Sequence, residues 1–347
     1  MKTSILKIMV IMFALAANST FSQWQPDVRL SDYPASSRTN LHNARNIASE
    51  GNMVHVVWEE GRHGASRQLY YKRSTDKGVN WGPDTRLTDN IGNSIQTNVA
   101  VSGQFVHIVW RDSHHGNPEV YYRRSTDGGI SWEPEVRISN NPDGTRYPMV
   151  AVSGQTVHIV YDDERNGGTE IYYRRSADFG ATWGAETRLT NMAGASYFCS
   201  IAVYGQNVHL SWEDSRDGPN REIYYKRSTD GGISWGADTR LTNDPAKSYF
   251  SSIAASEQVV HVMWNDEHSQ SLSRRERQVV EIVMKRGRAS AREIEEELPD
   301  APTYSAVRSI LRLLVEREVL LKTQEEGRDW FSLPVSPKKA RVSALTS

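Results

Sequence analysis

Between residues 28 and about 267, apolar and polar positions alternate in short runs such as Val54-His-Val-Val-Trp58 and Glu119-Val-Tyr-Tyr-Arg-Arg124, divided by turns rich in Gly and Asp. Alternation in β-branched and aromatic residues predicts strands, and the turn chemistry predicts hairpins between them. The pattern also repeats. Ser74-Thr-Asp76-Lys-Gly78-Val-Asn-Trp81 returns as Ser125-Thr-Asp127-Gly-Gly129-Ile-Ser-Trp132, Ser176-Ala-Asp178-Phe-Gly180-Ala-Thr-Trp183 and Ser228-Thr-Asp230-Gly-Gly232-Ile-Ser-Trp235, at intervals of 51, 51 and 52 residues. The run at 54–58 returns at 106–110, 157–161, 208–212 and 260–264, with Tyr161 once replacing Trp. With a preceding strand such as Asn98-Val-Ala-Val-Ser102 and a closing one such as Val136-Arg-Ile-Ser139, each repeat predicts four strands, the content of one propeller blade. The fifth unit stops after Trp264-Asn-Asp266-Glu-His268. About four to five blades of an all-β, propeller-like array are therefore expected, as a fragment of a larger propeller or a five-bladed ring lacking part of a blade.

At Ser271 the alternation gives way to helical spacing. Ser273-Arg-Arg-Glu276 is a capping box, followed by an apolar face of Val279, Val280, Ile282 and Val283 and a stop at Gly287. A second capping box, Ser290-Ala-Arg-Glu293, predicts a short helix to Leu298, and Pro299 to Pro302 a break. Thr303 then caps a third helix with Val307, Ile310, Leu311 and Leu314 on one face and Tyr304, Ser305, Arg308, Ser309 and Arg312 on the other. Val319-Leu-Leu-Lys-Thr323 and Trp330-Phe-Ser-Leu333 predict a hairpin around Glu325-Glu-Gly-Arg328, which completes an α+β winged helix-turn-helix order.

Composition sharpens this two-part reading. A chain of 347 residues has room for two or three domains, and its net charge of −1 hides a division: residues 271–347 carry 15 Lys and Arg against 12 Asp and Glu. Cys199 is the single cysteine, which excludes an intramolecular disulfide and a multi-cysteine zinc site. Met1-Lys-Thr-Ser-Ile-Leu-Lys7, the apolar run Ile8 to Ala17 and the small polar run after it predict a secretory signal peptide over 1–22, cleaved close to Ser22. The expected domains are thus 1–22, repeats at 23–268, a winged helix at 271–334 and a terminal segment at 335–347. A leader implies export and a DNA-binding module implies the cytoplasm. The break in mid-blade is accordingly read as a fusion of two reading frames.

The repeated octets point to turn-building rather than catalysis. Asp accepts N–H bonds of its own turn, Gly permits positive φ, and Trp packs on the blade. Glu60, Asp112, Asp163, Asp214 and Asp266 are each followed two residues on by Arg62, His114, Arg165, Arg216 or His268. Such pairs could ring one face to hold a glycan or cation, or order turns within each blade, and the second reading is the more economical. His55, His107, His158, His209 and His261 recur once per blade and read as structural rather than metal ligands. No cofactor or metal is expected.

The Ser-x-Asp-x-Gly-x-x-Trp octets resemble the Asp-box, or BNR, repeats of sialidase-like propellers, whose boxes lie away from the catalytic centre. The resemblance implies no catalytic role for them. The arginine cluster, tyrosine–glutamate pair and acid aspartate of a sialidase are not placed in this sequence, so no enzymatic activity is expected, an exo-sialidase-like glycoside hydrolase being the alternative. Leu272-Ser-Arg-Arg-Glu-Arg-Gln278, Leu298-Pro-Asp-Ala-Pro-Thr-Tyr-Ser-Ala-Val-Arg-Ser-Ile-Leu311 and the wing resemble the penicillinase-repressor family. That resemblance implies a homodimeric repressor on operator DNA, with Thr303, Tyr304, Ser305, Arg308, Ser309 and Arg312 in the major groove and Lys322 and Arg328 on phosphates. Glu318 stands where the family commonly has glycine, and Lys338-Lys-Ala-Arg-Val-Ser-Ala-Leu345 resembles the start of its dimerisation helices, truncated here. The expected function is DNA-binding repression; the alternative is an exported glycan-binding or sialidase-like protein.

Overall fold

The computed structural model describes residues 29–31, 37–39, 45–266, 273–333 and 343–346, less 63, 65, 219, 244–246, 258, 300–302 and 326. The expected leader and His268 lie outside the described residues. From Ile47 to Asp266 the chain forms five antiparallel sheets in chain order. The second, third and fourth each have four strands, as at Ile95–Ser102, Phe105–Asp112, Glu119–Ser125 and Val136–Arg137. The first gains an extra short strand, Ser37–Arg38. Strands such as Thr156–Asp163 are buried along almost their whole length, because the second, third and fourth sheets have a neighbour over both faces, whereas Val259–Asp266 of the fifth alternates between buried and exposed positions. Four cores lie between successive sheets; Val57, Tyr71, Val99, Ile108 and Trp110 share the first of them.

One side chain of the first blade reaches the last two. Arg45, at the start of the first blade, donates from Nη2 to the carbonyls of Ile201 at 3.0 Å and Ile253 at 3.3 Å, in the fourth and fifth blades. The fifth blade contains Ser248–Ala255 and Val259–Asp266, and its third strand is Ser343–Thr346, pairing Val259 with Thr346 through Val262 with Ser343. This corrects the expectation for the terminal segment: residues 343–346 are extended rather than the start of a dimerisation helix. A strand edge with unpaired N–H and C=O groups is a template for further pairing, and these four residues take it.

The C-terminal module has helices α1 (Arg274–Arg286), α2 (Ala291–Glu297) and α3 (Tyr304–Glu316). Both capping boxes form: Ser273 and Ser290 accept from the N–H of Glu276 and Glu293, whose carboxylates accept in return from the serine N–H groups. Wing strands Leu321–Glu325 and Arg328–Ser332 join Arg288–Ala289 in one sheet. Val279, Val283, Ile294, Val307, Leu311, Leu314 and Phe331 are buried in a common core. Glu318 takes the left-handed cap that glycine fills most cheaply, at φ 57°, which lets the N–H of Val319 reach the Leu314 carbonyl at 2.9 Å.

Candidate functional site

The exposed face of α3, the N-terminus of α2 and the wing enclose a groove of about 930 Å³. Tyr304, Ser305, Arg308, Ser309 and Arg312 line it from α3, and Lys322 and Arg328 from the wing. Thr303 stands just outside as the cap of α3, its Oγ1 accepting from the Ala306 N–H at 3.3 Å. Arg292 of α2 also lines the groove, so five basic side chains face two acidic ones, Glu316 and Asp329. The sequence reading missed Arg292 because it sits inside a capping box that already had a structural explanation.

The cations differ in their partners. Lys322 pairs with Asp329 at 2.8 Å, and Arg312 with Glu316 at 3.7 Å on the same helix face. Arg328 donates to Ser290 Oγ at 2.7 Å and lies over the Trp330 ring, whose other cationic neighbour is Arg288. Arg308 has no carboxylate partner among the described residues, and its guanidinium lies 5.9 Å from the centre of the Tyr304 ring. An exposed arginine with no internal acceptor, one turn into a helix that lines a basic groove, keeps its planar donors free for a base edge or a phosphate.

The repeated octets build turns that also clamp neighbouring blades. In the first, Ser74 Oγ bonds Asp76 Oδ1 at 2.7 Å and accepts from the Gly78 N–H at 2.8 Å. The same pattern holds at Ser125, Asp127 and Gly129, at Ser176, Asp178 and Gly180, and at Ser228, Asp230 and Gly232. The tryptophans pack outward onto the preceding blade: Trp132, Trp183 and Trp235 meet Tyr71, Tyr122 and Tyr173 edge-on at 4.9, 4.9 and 5.1 Å. Each of those tyrosines bonds a histidine Nδ1, of His55, His107 or His158, at 2.7 Å. An arginine completes the clasp, with Arg73, Arg124 and Arg175 donating to the carbonyls of Gly128, Phe179 and Gly231. Burial holds His107 and His158 down to about 3, so these rings are neutral hydrogen-bonding spacers. The acidic column forms pairs inside blades, as Asp214 with Arg216 at 2.6 Å and Asp112 with His114 at 2.7 Å, while Trp58, Trp110, Trp212 and Trp264 donate to it as well.

A second constellation lies one residue earlier in each blade. Glu59, Asp162 and Glu213 point to the opposite sheet face from the paired column and accept from the N–H of Gln96, Phe198 and Phe250, respectively, in the next blade. Gln96, Tyr147, Phe198 and Phe250 all have left-handed backbones, with φ between 51° and 57°, beside a register shift in each inner strand. A side chain there costs about 1–2 kcal/mol, and the bonds to the carboxylates offset part of it. The rings of Tyr147, Phe198 and Phe250 meet edge-on, at 4.7 and 5.6 Å. Asp162 is 1 % exposed, its Oδ1 has no hydrogen-bond partner among the described residues, and burial pushes its carboxyl well above the usual range. Nothing in the periodicity distinguishes this column, because the residue types change from blade to blade: Glu59, Arg111, Asp162, Glu213 and Asn265.

Residues 7–202 match the family model described as the BNR repeat-like domain, and residues 272–346 match that of the penicillinase repressor. No curated protein matches the chain. Among solved structures, the chain is similar to an alpha-L-arabinanase of Penicillium chrysogenum (13 % identity, TM-score 0.48, 68 % of this chain and 85 % of that one). It is also similar to an alpha-L-arabinofuranosidase of Fusarium graminearum (14 %, 0.46, 64 % and 77 %) and to a Hadza microbial sialidase (14 %, 0.33, 65 % and 63 %). These proteins are glycoside hydrolases by name, and that finding overturns the expectation that the chain lacks enzymatic activity.

Proposed function

Because this chain belongs to the BNR repeat-like domain family and carries a penicillinase-repressor module behind the repeats, we propose that it binds operator DNA through the groove between α3 and the wing. The observation that carries the reading is Arg308, unpaired by any carboxylate among the described residues and flanked by Arg312, Lys322 and Arg328. The paired cations suit phosphates, where an incoming anion competes with a carboxylate, and Arg308 suits a base edge. In titrations of the full chain against an operator duplex and a random one, Arg308→Ala should reduce discrimination by about 1–3 kcal/mol, while Arg328→Ala should weaken both alike. Affinity should fall steeply with salt because several contacts are to phosphate. Binding that is absent even at low salt rejects this reading. Repression, homodimer formation and residence in the cytoplasm belong to the same proposal.

The repeat segment supports a second reading, glycoside binding or hydrolysis after export, and the observation favouring it is Asp162. A buried carboxyl whose pKa is raised by burial, beside Glu213 and near the Tyr147–Phe198–Phe250 aromatic cluster, has the character of a general acid next to flat apolar faces for a sugar ring. Full chain assayed with aryl arabinofuranosides and sialosides should release the phenol, and Asp162→Asn should lower kcat by at least about a hundredfold. No turnover by the parent chain, or turnover untouched by the substitution, removes the acid role.

A further inference from the structure

The octet turns of the second, third and fourth blades each seat on a clasp of histidine, tyrosine and arginine from the blade before. The fourth blade carries the same clasp, with His209 Nδ1 bonded to the Tyr225 hydroxyl at 2.7 Å and Arg227 in register with His209. No octet follows it in the sequence, since the fifth unit stops at His268 and the chain resumes as the winged helix. The Arg227 guanidinium accordingly makes no hydrogen bond or ion pair among the described residues, and Tyr225 is 9 % exposed where Tyr71, Tyr122 and Tyr173 are at 1–2 %. The neighbouring strand is incompletely covered too. Asn207–Asp214 pairs with its next strand at seven positions, whereas Val259–Asp266 pairs with Ser343–Thr346 at four, and Met263 is half exposed where its counterpart Ser211 is buried.

We propose that the fifth blade is a docking site for a β-hairpin from another polypeptide, one whose strand runs into a Ser-x-Asp-x-Gly-x-x-Trp turn. The occupant follows from the three filled clasps. The arginine needs a backbone carbonyl from the turn, the tyrosine ring needs the edge of a tryptophan, and the tyrosine hydroxyl leaves room for glycine alone: a Cβ at Gly129, Gly180 or Gly232 would come within 1.9 Å of the opposing hydroxyl. The edge of Val259–Asp266 supplies the strand pairing. Residues 343–346 occupy four of the positions that the incoming strand would take, so they compete with it and hold the blade closed in its absence.

A fluorescently labelled synthetic peptide of this chain's own residues 222–240, titrated against the full chain and read by anisotropy, tests the proposal. Saturable binding is expected. It should weaken at least about tenfold when the peptide carries Gly232→Ala, a change that cannot disturb the folding of the protein. Arg227→Met in the chain should weaken binding of the parent peptide, and deletion of 343–347 should strengthen it. Absence of saturable binding, or equal binding of parent and Gly232→Ala peptides, overturns the proposal, the second result because strand pairing alone would then account for the association.

Discussion

At the scale of single residues, the strongest constraints come from atoms that leave no room. Gly129 and Gly78 occupy equivalent octet positions with φ of 81° and 87°, yet a Cβ at Gly129 would lie 1.9 Å from the Tyr71 hydroxyl, while at Gly78 its nearest neighbour is Trp81 at 3.7 Å. Both substitutions with alanine carry the positive-φ penalty, about 1 kcal/mol, and only Gly129→Ala adds a clash. Urea denaturation should therefore show Gly129→Ala losing at least about 2 kcal/mol more than Gly78→Ala; equal losses would mean that the clasp is not tight. The reverse case is Glu318, a side chain in a glycine position at φ 57°. Glu318→Gly should stabilise the winged helix by about 0.5–1 kcal/mol, measured by its thermal midpoint, since relieved strain exceeds the added backbone entropy. The octet motif was legible in the sequence because its four residues answer one local need. Asp162 was not, because its chemistry comes from depth and from a neighbour 36 positions away, Phe198.

Helices and strands differ in how much of them their own sequence reveals. The three helices of the C-terminal module could be bounded from caps alone, since Ser273, Ser290 and Thr303 satisfy the first free N–H groups locally. The first wing strand, Leu321–Glu325, lies about two residues later than its apolar run suggests, because Val319 and Leu320 are drawn back to the Leu314 carbonyl. In the repeats, the histidine strands give the domain its pH response. Burial lowers His107 and His158 to about 3, and His55 and His209 to about 4, so the unfolded chain binds these protons first. Their stabilising contribution is fully present above about pH 6.5 and is lost as pH falls toward the folded values. Asp162 has the opposite sign, its raised pKa favouring the fold at low pH. A comparison with His107→Gln separates the two: between pH 6.5 and 4 the parent should lose on the order of 3 kcal/mol more unfolding free energy than the variant. Parallel pH profiles would show that His107 is protonated in the folded state.

For the molecule as a whole, the sequence divides at 271 and the structure partly reverses that division. The junction reads as a simple boundary because periodicity changes there, but Ser343–Thr346 returns to pair with Val259–Val262, so the winged helix lies between two strands of one sheet. Pairing over such a separation leaves no local trace in four residues, which is why it was illegible. Deleting 343–347 should remove a ladder worth about 1–3 kcal/mol and speed hydrogen exchange at the amides of Val259–Val262. Unchanged exchange there would mean that the ladder does not form in solution.

The same return of the chain sets a clock on synthesis. The ribosome completes Asp266 long before it reaches Ser343, and at roughly 5–20 residues per second the interval is about 4–15 s. Small helical modules fold far faster than that, so α1, α2 and α3 are finished while the last blade still has a bare edge. A nascent chain paused in this window presents the hairpin-accepting edge and the empty clasp together, making the ribosome-bound stage the moment when a partner strand meets least competition.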